Sequence, residues 1–260
     1  MPFIKFNKNE RKKILIRIAC VALAAIAWII MAVTALFIWI VATKCGWSRS
    51  VTGALLLIVP LGNTGFVGFP LIEALLGQEA LPYAILYDQF GSFFALNTYG
   101  SIVAAYYSGG VTSWRNLIRV VVSFPPFIAL VISFATFFVV YPDWLSHALQ
   151  RISSTLVPVV MVAVGLQWQL RLDKNALIPL GVALLTALIL MPLLALSLLK
   201  IFEIDGIVAH TIILQAAMPA MISAGVLAIN YQLAPRLSSS IVGYSLLLSL
   251  VTVWAWRQII

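Results

Sequence analysis

Charged residues are scarce in this sequence. Only 9% of its 260 residues are Asp, Glu, Lys or Arg, whereas 63% are hydrophobic. A soluble domain carries about 25% charged residues, so the chain lacks the polar surface that a soluble protein of this length needs. The composition therefore predicts a protein that lies in the lipid bilayer and crosses it several times.

Cysteine and the familiar catalytic patterns are also missing. The chain has only Cys20 and Cys45, too few for a disulfide framework. It has no His/Cys metal cluster, no phosphate-binding loop and no nucleophile elbow, and no room for a nucleotide-binding domain. These absences argue against an enzyme, a metal or cofactor, and an ATP-driven pump. The net charge of +8 lies in short segments between apolar runs, which favours the loops of a membrane protein over a nucleic-acid surface.

Long runs without charge indicate candidate membrane spans. Eight runs reach about the 20 residues that a helix needs to cross a bilayer. They are 18–43, 50–72, 89–114, 120–142, 152–170, 175–199, 206–235 and 237–256. The third starts near Leu81 and carries Asp88 inside it. None alternates like a barrel strand, so the predicted fold is an all-α polytopic membrane protein.

The basic residues between the spans predict which side of the membrane each loop faces. The loops at 44–49, 108–119, 171–174 and 231–236 carry Lys or Arg and share one side, which the positive-inside rule makes cytoplasmic. The N-terminal segment 1–17 is also strongly basic, yet the same count of spans places it on the opposite side. We therefore assign the orientation of the chain from the four loops rather than from the N-terminal segment.

A weak internal repeat appears when the chain is shifted by about 154 residues, which is the kind of symmetry found in secondary transporters. Spans one to three then fall on spans six to eight, with opposite orientation, as in an inverted-topology repeat. The first repeat, 18–107, is incomplete with three spans, and the second, 116–260, has five. The evidence for the repeat is the matching position of the interruptions at 62–65 and 218–219, since residue identity between the two copies is low.

The two interruptions place helix-breaking residues near the middle of the membrane. "PLGNTGFVGFP" follows one apolar run, and "QAAMPAMISAG" lies inside another. Proline removes an N–H group and disfavours helix at the residue before it. Non-helical backbone at that depth must be buried or line a water-filled cavity. A pair of simple kinks is the alternative, but two breaks at matching positions favour a transport site.

Three stretches resemble the auxin efflux carrier family of bacterial and plant transporters: "GNTGFVGFPLIEALLGQEALPYAILYDQ", "QAAMPAMISAGVLA" and "TLVPVVMVAVGL". The resemblance implies ten spans in two inverted five-span repeats with crossed broken helices, a fold shared with bile-acid sodium symporters. It also implies export of organic anions such as auxin or dicarboxylates. It maps Asn63, Thr64 and Gly65 to the first crossover, and Met218 and Pro219 to the second.

The candidate site residues follow from these breaks. Besides the five crossover residues, Gln215 and Ser223 lie one turn to either side of Pro219 and are candidates to bind substrate. For Ser223, close helix packing is the alternative. Asp88 is a candidate for coupling because intramembrane carboxylates are rare, with Tyr87 and Gln89 in its polar network. A purely structural carboxyl is the alternative for Asp88.

These observations predict a secondary transporter that exports a small organic anion by alternating access, with H⁺ or Na⁺ as a candidate coupling ion. A non-transporting membrane scaffold or sensor, or a degenerate truncated transporter, is the alternative. Spans four and five have no partners in the first half, so the fold is expected to lack its first two spans, with eight present of ten. An upstream start codon, a truncated protein that forms a homodimer, and a decayed gene are the three explanations.

Overall fold

The computed structural model describes residues 8–109, 115, 119, 122–123, 125–136, 139, 141–167 and 174–260. Within these ranges the chain is helical without strands, apart from one isolated antiparallel pair between Gly62 and Ala220. The start of the predicted N-terminal segment, at 1–7, lies outside the described residues. So do most of the predicted loops at 108–119 and 171–174.

Most of the described helices lie within the apolar runs of the sequence, whereas the first begins in the basic N-terminal segment. In chain order they are α1 (Lys8–Lys44), α2 (Arg49–Ile58), α3 (Gly68–Leu76), α4 (Leu81–Tyr87), α5 (Ser101–Tyr107), α6 (Pro125–Ala135), α7 (Asp143–Gln167), α8 (Lys174–Leu185), α9 (Met191–Ile201), α10 (Gly206–Ala216), α11 (Ile222–Asn230) and α12 (Pro235–Ile259). A 3₁₀ turn, Gln78–Ala80, precedes α4. Wide π-helical turns at Asp88–Phe93 and Leu96–Gly100 join α4 to α5, and another at Thr186–Leu190 joins α8 to α9.

Three helical stretches of the described chain are long and apolar enough to cross a membrane: Leu23–Lys44, Ala176–Ile201 and Pro235–Ile259. The helices α2 and α10 are apolar but shorter. The prediction of an all-α membrane fold is confirmed to this extent, whereas the count of eight spans and the inverted repeat stay predictions. Helix α1 begins at Lys8 and so extends the predicted span 18–43 toward the N-terminus.

The wide turn between α8 and α9 has a cause in the sequence. Pro192 lacks an N–H group, and its ring crowds the carbonyl four residues earlier, at Leu188. A π-helical turn at Thr186–Leu190 accommodates this ring. The indole Nε1 of Trp256 in α12 donates to the Leu188 carbonyl at 3.0 Å. A neighbouring helix thus satisfies the backbone group that proline leaves free, as the bilayer requires.

The buried apolar side chains of the described residues form two clusters. One contains Leu55, Leu57 and Ile58 of α2 together with Ile222 of α11. The other contains Ile72 of α3 and residues of α4, α9 and α10. The opposite faces of the long helices leave large apolar side chains exposed, such as those of Leu36 in α1 and Val251 in α12. Such faces suit contact with lipid chains rather than with water.

Candidate functional site

The two interrupted helices meet at their breaks. Helix α2 ends at Ile58, just before Pro60, and α3 begins only at Gly68. Likewise α10 ends at Ala216, before Pro219, and α11 begins at Ile222. Each break thus opens next to a proline, as expected for a residue that cannot donate to the helix and that disfavours helix before it.

Two backbone hydrogen bonds join the breaks. The Asn63 N–H donates to the Pro219 carbonyl at 2.7 Å, and the Met221 N–H donates to the Leu61 carbonyl at 2.8 Å. They flank the antiparallel pair between Gly62 and Ala220. The crossing therefore satisfies four backbone groups that helix geometry leaves free, which is what allows non-helical backbone to lie inside a membrane protein.

Side chains satisfy the crossing further. The hydroxyl of Ser245 in α12 accepts a hydrogen bond from the Ala220 N–H at 3.1 Å. The carboxamide of Gln215 donates to the carbonyls of Thr64 and Ala84, both at 3.2 Å. Gln215 is fully buried, and its two hydrogen bonds connect the first break to α4 inside the protein.

The close approach of Gln215 depends on a glycine. A Cβ atom on Gly68 would lie only 2.4 Å from Gln215 Oε1, a distance that real Cβ atoms do not show. The first turn of α3 therefore packs directly against the carboxamide because residue 68 has no side chain. Gln215 Oε1 itself has no hydrogen-bond partner within the described part of the chain.

A cavity of about 570 Å³ lies beside the crossing. Polar side chains and one glycine contribute to its wall: Asn63, Gly65, Asp88, Gln89 and Ser223. Apolar side chains form the rest of the described wall: Phe66, Phe69, Phe93, Leu96 and Met221. The volume is in the range of pockets that bind small molecules, and a mostly apolar wall with a few polar groups is the usual composition of such pockets.

Asp88 is the acidic group of this cavity, and it is 5% exposed. The Thr64 hydroxyl donates to its Oδ1 at 2.6 Å, and the Gln89 amide donates to its Oδ2 at 2.9 Å. A Cβ atom on Gly65 would lie 3.2 Å from Oδ1, so the carboxyl group rests against the backbone of the break. Within the described ranges Asp88 forms no ion pair, and the cavity wall includes no Lys, Arg or His.

Asn63 is a polar residue of the cavity wall whose side chain makes no hydrogen bond within the described ranges. It is 1% exposed, and its Nδ2 has no partner in the described part of the protein. A half-turn of an amide exchanges its nitrogen and oxygen, so the side chain can offer a donor or an acceptor. An unpaired buried amide is costly, which makes Asn63 a group that a ligand can satisfy.

Ser223 lies in the first turn of α11 and also faces the cavity. The first N–H groups of a helix have no partner within the helix, and the helix dipole gives this end a partial positive charge. An anionic group in the cavity can therefore approach both a hydroxyl and a helix N-terminus.

The structure divides the sequence-predicted site residues among two cavities and the crossing itself. Five of them, Asn63, Gly65, Asp88, Gln89 and Ser223, line the large cavity. Thr64, Tyr87 and Gln215 line a second cavity of about 10 Å³, the size of one water molecule. Met218 and Pro219 are buried at the crossing without lining either cavity, and Pro219 contributes its carbonyl.

Sequence reasoning missed the apolar half of the wall. Phe66 lies within the first break, Phe69 lies in the first turn of α3 directly after it, and Met221 follows Pro219 by two positions. Their closeness to the breaks is the sequence signal that points to them, although an apolar side chain by itself does not distinguish a binding site from a core position. Phe93 and Leu96 had no such signal, because they reach the cavity through the wide turns after Asp88.

Those wide turns also position the neighbouring elements. The Tyr99 hydroxyl donates to the Leu56 carbonyl at 2.8 Å, near the end of α2. The Asn97 amide donates to the Phe93 carbonyl at 2.7 Å within its own segment. π-Helical turns occur often at functional sites, where they redirect side chains. Here one begins at Asp88 itself.

Comparison with known proteins supports a transport role for this arrangement. A sequence model of the family described as "Membrane transport protein" matches residues 1–113 and 110–257. The chain belongs to this membrane transport protein family. The resemblance to auxin efflux carriers is thereby confirmed at the level of the family. Membership supports a membrane-embedded transporter rather than an enzyme.

Two curated archaeal proteins are similar to the chain. An uncharacterized transporter of Methanocaldococcus jannaschii is 28% identical over 211 residues, which is 78% of this chain and 68% of that protein. An uncharacterized transporter of Methanothermobacter thermautotrophicus is 27% identical over 233 residues, which is 87% of this chain and 74% of that protein. Both support transport, and neither names a substrate.

Proposed function

We propose that this protein is a secondary transporter that exports a small organic anion across the cell membrane by alternating access. The observation that carries the proposal is the cavity at the crossing of the two broken helices, where the buried side-chain Nδ2 of Asn63 has no hydrogen-bond partner among the described residues. Broken helices that meet at a ligand-sized cavity are the usual site architecture of secondary transporters.

A carboxylate fits the polar end of this cavity. The amide of Asn63 can donate to it, and the Ser223 hydroxyl and the N-terminus of α11 lie along the same wall. A helix N-terminus favours a negative group. The body of the anion would pack on Phe66, Phe69 and the other apolar side chains. We therefore propose Asn63 and Ser223 as the main substrate contacts, with Gly65 leaving room for the ligand beside Asp88.

Asp88 requires a compensating positive charge when an anion binds. Two negative groups in one cavity repel strongly where water is excluded. The described wall contains no basic side chain, so the charge must come from elsewhere. We propose that a coupling ion, H⁺ or Na⁺, provides it at Asp88, and that Thr64 and Gln89 hold the carboxyl group in place.

Alternating access needs two arrangements of the protein around one site. We propose that the segments around the two breaks belong to inverted repeats, and that relative movement of these repeats opens the cavity to each side in turn. In this proposal the loops at 44–49, 108–119, 171–174 and 231–236 face the cytoplasm. The sequence interruptions, which gave the first sign of the repeat, are the parts that carry the substrate.

A ligand screen tests the proposal. Purified protein is heated with a panel of organic acids, and a rise in the unfolding midpoint identifies ligands. Asn63→Ala should weaken binding of a hit by about tenfold or more, because a hydrogen bond to a charged group contributes about 1.5–3 kcal/mol. Asn97→Ala, which changes a buried asparagine outside the cavity wall, is the matched control. Equal affinity in Asn63→Ala and the parent protein would remove Asn63 from the site.

A further inference from the structure

We propose that the cavity also accepts α-amino acids with apolar side chains, whose ammonium group neutralises Asp88 in place of a coupling ion. This inference rests on the proposed function, because it uses the same cavity, and it adds a class of substrate. The juxtaposition that carries it lies in the wall of one mostly apolar cavity: a buried acceptor, Asp88, and the buried Nδ2 of Asn63, which no described residue satisfies.

The charge of the cavity favours a ligand that carries its own cation. Asp88 is almost fully buried, and both of its described partners, Thr64 and Gln89, are uncharged. A buried charge is tolerated when it is paired and hydrogen-bonded. A simple carboxylate adds a second negative charge and leaves Asp88 unpaired, whereas a zwitterion adds no net charge and supplies the missing partner.

The hydrogen-bonding capacity of the wall matches both ends of an amino acid. A carboxylate has about four lone-pair sites, and Asp88 uses two of them for Thr64 and Gln89. The remaining sites can accept N–H bonds from an ammonium group. The carboxylate of the same ligand can accept from the amide of Asn63 and from the first turn of α11. The ammonium and carboxylate groups of an α-amino acid are close together. Asn63 and Asp88 are close as well, because Gly65, two residues after Asn63, lies against the Asp88 carboxyl group.

The apolar part of the wall determines which amino-acid side chains the cavity prefers. Three phenylalanines, Leu96 and Met221 surround the remainder of the 570 Å³. Burial of an apolar side chain there is favourable. A second carboxylate in the same position would lose its hydration without gaining a partner. Leucine, methionine and phenylalanine therefore fit the cavity better than aspartate or a dicarboxylate.

Three ligands with a common phenyl body test this inference: phenylalanine, 3-phenylpropionate, which lacks the amine, and phenethylamine, which lacks the carboxylate. Binding to the purified full chain is measured by calorimetry at neutral pH without Na⁺. We expect phenylalanine to bind at least about tenfold more tightly than either fragment, because only it satisfies both polar groups. Binding of 3-phenylpropionate as tightly as phenylalanine overturns the inference.

Asp88→Asn identifies the partner of the amine. The variant should lose about tenfold or more in affinity for phenylalanine but none for 3-phenylpropionate. Glu73→Gln makes the same change at an exposed residue outside the cavity wall and should leave both affinities unchanged. If Asp88→Asn does not fold, the ranking of the three ligands by the parent protein decides alone. Equal loss for phenylalanine and 3-phenylpropionate in Asp88→Asn contradicts the role of the ammonium group.

The proposed function can survive failure of this inference. Flux of organic acids through liposomes, together with absence of phenylalanine binding, overturns the amino-acid inference and leaves the transporter proposal intact. Absence of both binding and flux for every carboxylate tested overturns both.

Discussion

Two buried amides at the crossing, Gln215 and Asn63, differ in what they bind. Gln215 donates twice to backbone carbonyls, at 3.2 Å each, and packs against Gly68. The Nδ2 of Asn63 finds no hydrogen-bond partner in the part of the chain that the structure describes, although it is equally buried. The sequence placed both among the candidates for substrate binding. The contacts separate a residue that holds the crossing together from one that is free to meet a ligand.

Gly68→Ala tests the structural role of Gln215. The new methyl group would displace the carboxamide and break its bonds to Thr64 and Ala84, so the protein should lose about 1–3 kcal/mol of stability. Thermal unfolding in one detergent measures the loss. Gly181→Ala, at a helical glycine with open space around its Cβ position, should lose nothing. An unchanged midpoint in Gly68→Ala would mean that Gln215 moves aside without cost.

Asp88→Asn tests coupling at the residue scale. The amide side chain is uncharged in every state, so it cannot take up a proton or recruit a cation when a simple organic acid binds. We expect uptake driven by an H⁺ or Na⁺ gradient to disappear in liposomes, while exchange at equal ion concentrations persists. Glu73→Gln should keep gradient-driven uptake. Gradient-driven uptake by Asp88→Asn at the parent rate would make Asp88 merely structural.

At the scale of the elements, the sequence predicts where the helices break but not how the breaks meet. Pro60 and Pro219 mark the interruptions because proline acts locally on its own helix. The pairing of Asn63 with Pro219, and of Leu61 with Met221, is a long-range register that the weak repeat could not specify. The hydroxyl of Ser245 and the aromatic side chain of Phe93 reach the site through tertiary packing. No periodic pattern in the sequence predicts such contacts.

Ser245→Ala tests the support that α12 gives to the second break. Removal of the hydroxyl leaves the Ala220 N–H buried without an acceptor, which should cost about 1–3 kcal/mol of stability. Ser197→Ala is the control, because Ser197 is exposed and its hydroxyl donates to the Leu193 carbonyl of its own helix. Equal unfolding midpoints for the two variants would show that Ala220 finds another partner.

At the scale of the whole molecule, composition alone predicts a helical membrane protein, because few charged residues remain to face water. The three long apolar helices agree with this prediction. The number of spans is harder to predict, because an interrupted helix such as α2 is too short to be recognised by length. The orientation of the loops depends on the distribution of Lys and Arg and remains a proposal.

Cys45 offers a direct test of orientation. It is exposed in the loop between α1 and α2, which we place in the cytoplasm. In a Cys20→Ala background, a membrane-impermeant thiol reagent should label Cys45 only after the cells are opened. Gln78→Cys, placed at an exposed position of the opposite side in a background without other cysteines, should label in intact cells. Labelling of Cys45 from outside would reverse the assignment of all four loops.

The central claim is that substrate passes through the cavity at the crossing of the two broken helices. The most direct test is efflux of one identified carboxylate ligand from liposomes that contain equal amounts of parent protein, Asn63→Ala or Asn97→Ala. The account predicts that Asn63→Ala exports at about a tenth of the parent rate or less at low substrate, since it loses a contact with the charged group, and that Asn97→Ala exports at a rate near that of the parent. Equal efflux by Asn63→Ala and the parent protein would contradict the claim.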